Sequence, residues 1–305
     1  MYSKFLEGMT GKVAEQWVSN LLTPALVFWL GGLAACIDHF GWNPLKDWVL
    51  QQPQSFQVGL LIIGLIVIAT SAAVVQKFDR ATLRFLEGYW PRWMKSLRRF
   101  RIQRYVNQWQ QTLERWNELY GKGEEQLTSE QLDEYAQLDW LLVHSPAKPN
   151  QFMPTRLGNL LRAAEYRSRD RYGLDAVVCW PRLWLLMPES SRKEMQEASA
   201  ALNVAARNCL WSVLFLVWTP LAWWVPFLAV PAILLTYRLT LNAAMVYVDL
   251  LESTFDVHRH LLYQSLRQKL PTHPATEAET GRKLTQYLWR EADPSMPEFF
   301  DPPGK

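Results

Sequence analysis

A chain of 305 residues with 49% hydrophobic and 20% charged residues has the averages of a soluble globular protein, yet the two classes are segregated along it. A formal net charge of +3 argues against a nucleic-acid binder. Cys36, Cys179 and Cys209 have no CxxC spacing, which argues against a disulfide framework or zinc site and leaves buried, inert thiols.

The first apolar block, residues 18–37, has an uncharged core, LLTPALVFWLGGLAACI. Its length of ~20 residues is that of a bilayer span. Pro24 and the Gly31-Gly32 pair are tolerated in membrane helices, where neighbours re-satisfy the backbone. Leu33-Ala34-Ala35-Cys36 also matches the pattern ahead of a lipidated cysteine, but Glu7 and Glu15 in the leader argue against processing there. The second span, VGLLIIGLIVIATSAAVV (58–75), is the cleanest in the chain, and residues 38–57 are expected as the loop between the two. Gly31, Gly32, Ala34 and Ala35 in the first span, with Ser71, Ala72 and Ala73 in the second, would let membrane helices approach closely, which points to a homo-oligomer.

A basic run follows the second span. From Lys77 to Arg104 only Asp79 and Glu87 oppose the cations. By the positive-inside rule this end is cytoplasmic, so the expected location is the cell inner membrane with several passes and both termini cytoplasmic. Residues 76–120 read as helix bent near Pro91, with Trp109, Leu113, Trp116 and Leu119 forming a packed face. Arg92, Lys95, Arg98, Arg99, Arg101 and Arg104 lie among aromatics, a pattern that fits nucleic acid or lipid; beside a span, the expected partner is membrane lipid.

A polar helix is expected over 127–143, with Thr128 as N-cap and Gln131 at capping-box spacing. Residues 144–154 form a Pro-rich connector and 155–173 an amphipathic helix with Leu157, Leu160, Leu161 and Ala164 on its apolar face. The apolar stretch 174–188 holds Pro181 and is too short to span; strand, core segment and interfacial element all fit it.

About 50 residues from Ala198 to Leu251 are again apolar, interrupted by Arg207 and Arg238. The centre, WTPLAWWVP (218–226), combines tryptophans, which collect at membrane interfaces, with prolines, which turn or end helices. Two crossings meeting at an outer turn are expected, with a shallow hairpin as the alternative. Arg207 and Arg238 are then intramembrane charges, candidates for a pore or anion-attracting cavity. With no carboxylate in any span, snorkelling towards lipid phosphates is the simpler account.

Residues 246–266 continue the last helix, where Asp249, Glu252, Asp256 and His260 fall at i, i+3, i+7 and i+11 and share one face. Such a face suits a divalent cation in a lipid-headgroup enzyme, or ion pairs with the Arg92 to Arg104 segment; the pairing is the expectation. The tail from Pro271 reads as loosely structured, ordered against a partner.

Together these readings predict an all-α polytopic membrane protein: two transmembrane helical hairpins (1–76 and 199–250) flanking a mainly helical cytoplasmic domain (77–198), with an exit helix and tail (251–305). The expected function is non-enzymatic, an oligomeric channel-like or membrane-perturbing effector controlled by its cytoplasmic domain. The alternative is a membrane-anchored scaffold recruiting a cytoplasmic protein partner. Metal-dependent headgroup chemistry ranks third, and neither a cofactor nor nucleic acid is expected.

Overall fold

A computed structural model of the protein describes residues 22–289. The expected start of the first span at 18–21 and the tail beyond 289 lie outside the described residues. Among those described, all regular structure is helical. In chain order the helices are α1 (Thr23–Phe40), α2 (Trp42–Leu50), α3 (Gln54–Lys77), α4 (Asp79–Glu87), α5 (Lys95–Lys122), α6 (Ser129–Val143), α7 (Arg156–Tyr172), α8 (Ala176–Leu186), α9 (Glu189–Leu214), α10 (Val225–Ser265) and α11 (Pro274–Trp289).

Four of them, α1, α3, α9 with its 3-10 extension to Trp218, and α10, are long and apolar enough to cross a membrane. That is the signature of a membrane protein. At ~1.5 Å per residue, the 41 residues of α10 reach ~60 Å, twice the ~30 Å of a hydrocarbon core. A large part of α10 therefore lies outside any bilayer it crosses. The apolar region around WTPLAWWVP is two helices and not one. After the 3-10 turn Phe215–Trp218, the chain turns through residues 219–224 and re-enters helix at Val225, with Pro226 in the first turn, where its missing N–H costs nothing.

The chain forms two compact units, residues 1–84 with 201–240 and residues 85–200 with 241–305. In the first, Ala25 of α1, Ala72 and Val75 of α3, and Trp211 of α9 form one buried cluster, flanked by Phe28 and Ile68. A second joins Ala35 to Ala222 and Val225, with Phe215 and Trp218 against it. Small residues admit large ones here: Gly31 faces the Phe215 ring and Gly32 the Trp218 indole, so closely that a Cβ at either would enter the ring's van der Waals envelope. Trp29 Nε1 donates to Ser71 Oγ at 3.1 Å, tying α1 to α3. Elsewhere along α3 large apolar side chains such as Leu61, Ile63 and Leu65 are exposed. Residues 38–57, expected as a loop, contain helix α2, which starts after Gly41 turns the chain at φ 85°.

The segment 76–120, whose residues from 85 on belong to the second unit, is divided more sharply than a bend. Gly88 at φ 101° and Pro91 end α4 and restart the chain as α5. Along α5, Leu119 is fully buried and Trp116 stacks on Tyr120 and on Tyr135 of α6. Arg115 donates to both oxygens of Glu134 at 2.8 Å, which holds that carboxyl below the usual range. Thr128 caps α6 through the expected box with Gln131.

Residues 174–188, left open between strand, core and interface, form helix α8. Asp175 caps it through Val177 and Val178 N–H, and Pro181 is carried within it. Cys179 and Leu183 are buried, whereas Val177, Pro181 and Leu185 are exposed. The tail is not loose over residues 274–289. Helix α11 packs on α7 and α8, because Gly281 lacks a side chain where it meets the Tyr172 carbonyl, and Gly173 at φ 70° turns the chain beside Ala278. Leu284 completes the contact.

Candidate functional site

Two sets of charged residues stand out, one in each unit. In the first unit Arg207 is 5% exposed. Its guanidinium forks onto Asp79, Nε donating to Oδ1 at 2.9 Å and Nη2 to Oδ2. For Arg207 this pair takes the place of snorkelling, an expectation that looked for carboxylates only inside the spans. Asp79 stands two residues past Lys77, as the first residue of α4. There it also sits at the positive end of a helix dipole, a favourable place for an anion. Asp79 is one of only two acids in the basic run, but nothing in the sequence points from it to Arg207. Arg238 is exposed and forms no ion pair with another described residue, so the two arginines that the sequence treats alike differ in the structure.

In the second unit the acidic face of α10 is engaged, but by α7. Arg167 Nη1 pairs with Glu252, both side chains 17% exposed. Tyr172 Oη donates to Asp256 Oδ1 at 2.6 Å, and Arg171 lies 3.9 Å from the other oxygen. Burial, then the Asp256 carboxylate, pushes the Tyr172 hydroxyl above its usual pKa. Arg259 stacks over the Tyr172 ring, 4.1 Å to its centroid, and donates to Glu277 of α11 at 2.7 Å. The expected partners, Arg92 to Arg104, are not the ones used. Charge alone did not separate the arginines of α5 from those of α7, where Arg167 and Arg171 fall on the helical face of the buried Leu160 and Ala164.

Asp249 is exposed, and His260, also exposed, bonds through Nδ1 to the Val257 carbonyl of its own helix. The four residues on the expected face are thus not gathered into one site. Among the described residues no group of three or more His, Cys, Asp or Glu is arranged to hold a metal ion. Beside this network lies a cleft of about 340 Å³ lined by Asp256, Arg259, His260, Tyr263, His273 and Glu277. Deeper in the same unit, burial pushes the Cys179 thiol up to about 11 and raises the Glu165 carboxyl.

Within the basic run, Arg92, Lys95, Arg99 and Arg104 are exposed and Arg98 half-buried. Arg101 is engaged, donating to the Pro154 carbonyl and to Tyr105 Oη, each at 3.3 Å. It therefore anchors α5 and does not belong to the free cations around it.

No protein-family model, curated protein or solved structure matches the chain.

Proposed function

We propose that the protein is a non-enzymatic, multi-pass inner-membrane effector, with both termini and the unit containing residues 85–200 on the cytoplasmic side. In this reading its helices form a membrane-perturbing or channel-like element, and the Arg207–Asp79 pair holds that element at rest. The buried pair carries the argument. A guanidinium among apolar helices is expensive and rare, and such residues mark pathways and switches. A carboxylate that neutralises it from the first turn of the next helix makes the charge conditional on the position of α4. A signal that moves α4 would expose Arg207 to the bundle.

The acidic face of α10 supports this non-enzymatic reading over the headgroup enzyme, because Glu252 and Asp256 are committed to Arg167, Arg171 and Tyr172. The scaffold reading has one observation behind it: Leu132, Trp140 and Val143, on one side of α6, are all exposed, as a protein-docking face would be.

The test is ion leakage. Purified protein in liposomes should be tight, and Asp79→Asn should release a trapped dye and dissipate an imposed ion gradient. Liposomes that remain equally tight with the variant, shown folded by circular dichroism, would sink the effector reading. A stable cytoplasmic partner recovered in detergent through the α6 face would favour the scaffold in its place.

A further inference from the structure

We infer that the start of α5 is an anionic-lipid docking element, with the exposed Trp93, Leu97 and Phe100 inserted among acyl chains and the flanking cations on headgroup phosphates. The inference rests on the membrane reading and adds the ligand class and the face that binds it.

Trp93, Leu97, Phe100 and Arg104 follow at i, i+4, i+7 and i+11, so they form one stripe along the 3-10 turn Arg92–Met94 and the helix that continues it. The stripe is bare: Trp93 is 82% exposed, Phe100 65% and Leu97 47%. The helix is held to its own unit from another side, by buried Val106 and by Arg101 on the Pro154 carbonyl. Three large apolar side chains in water along one stripe are unfavourable, at ~25 cal/mol per Å² of apolar surface left exposed. A partner that covers the stripe removes that cost.

Charge selects the partner. From Gly88 to Leu113 the chain has no acidic residue, while Arg92, Lys95, Arg98, Arg99, Arg101 and Arg104 all fall within it. Arg92, Lys95, Arg99 and Arg104 are exposed and form no ion pair with a described residue; Arg104 ends the stripe itself, Arg92 flanks it, and Lys95 and Arg99 lie further round the helix. A protein partner would need a matched acidic rim around an aromatic pocket. An anionic bilayer supplies phosphates at the surface and hydrocarbon ~5–10 Å below, in the depth order of these side chains, and tryptophan prefers that boundary. The break at Gly88 and Pro91 separates this element from α4, so it lies on the surface without having to continue the direction of a span.

Spin labels test the placement in the full chain, with Cys36, Cys179 and Cys209 replaced by alanine and the protein in nanodiscs of phosphatidylcholine with or without phosphatidylglycerol. Labels at L97C and F100C should collide with oxygen and be shielded from an aqueous nickel chelate, but only when phosphatidylglycerol is present. In those nanodiscs Arg92→Gln and Arg104→Gln should each lower the ratio of inserted to water-facing label about fivefold. A label at Q110C reports water, and one at L61C on α3 reports the span. Nickel access at L97C equal to that at Q110C overturns the inference while the L61C signal keeps the membrane reading intact. Shielding from both oxygen and nickel, as under a protein partner or second copy, also overturns it, as does equal insertion without phosphatidylglycerol. Nickel access at L61C would instead overturn the membrane reading itself.

Discussion

Replacing Asp79 by alanine leaves the Arg207 guanidinium buried with no counter-charge. The side chains are 6% and 17% exposed, so water replaces little of what is lost. Two unit charges ~4 Å apart attract by about 4 kcal/mol at an effective dielectric of 20, and desolvation of both offsets most of that while the pair is intact. Removing one partner forfeits the attraction and keeps the desolvation of the other, which costs ~3–5 kcal/mol. Replacing both by apolar residues, Asp79→Leu with Arg207→Met, removes both terms and should come close to neutral. The double variant is therefore expected to be more stable than Asp79→Ala alone. Unfolding in mixed micelles, followed by circular dichroism across a double-mutant cycle, measures the coupling directly. An additive cycle, or a loss below ~1 kcal/mol for Asp79→Ala as for an exposed pair, would refute the reasoning.

Gly281→Ala drives a methyl into the Tyr172 carbonyl and should cost ~1–3 kcal/mol as overpacking; protease cleavage within residues 266–273 should accelerate as α11 detaches. Cys179, its thiol at about 11 against an ordinary 9.0, should resist alkylation at pH 8, where only on the order of 10⁻³ of it is thiolate. Because the folded pKa is the higher one, its contribution to stability is complete below about pH 9 and is lost as pH rises to about 11, which pH-dependent unfolding will read. Reporter fusions at Gln110 and after Lys305 should both signal cytoplasm, and a periplasmic signal from either would reverse the orientation.

The features that were legible in the sequence are those decided locally. Thr128 and Gln131 announce the start of α6 because a capping box is closed by residues three apart. WTPLAWWVP announces a turn because two prolines and three tryptophans act within nine residues. Arg207 with Asp79 was not legible, since the partners stand 128 positions apart and only the packing of α9 beside the end of α3 brings them together. The same limit applies to α11. Its polar composition resembles a loose tail, and the reason it is a docked helix is one glycine meeting one carbonyl from α7. Helix α8 contradicts a local rule outright. Pro181 argues against helix, but the Asp175 cap and the burial of Cys179 and Leu183 outweigh the one backbone hydrogen bond that the proline removes.

The small residues of the first span carry a last consequence. Gly31, Gly32 and Ala35 suggest a seam between copies when read alone, yet each has a partner in its own chain: Phe215, Trp218, and the pair Ala222 and Val225. Ala72 likewise lies under Trp211, while Ala34 and Ala73 are exposed. Close approach is thus an intrachain device, which lets indole and phenyl rings fill the space a Cβ would take. Gly32→Ala should accordingly act on folding. The added methyl displaces the Trp218 ring, at a cost of ~1–3 kcal/mol for overpacking, and native mass spectrometry in mild detergent should find the same mass before and after the change. Gly32→Leu should prevent the first unit from forming. If Gly32→Ala instead leaves the unfolding midpoint untouched and splits an assembly into single chains, the glycine belongs to a seam between copies and the intrachain account of the bundle is wrong.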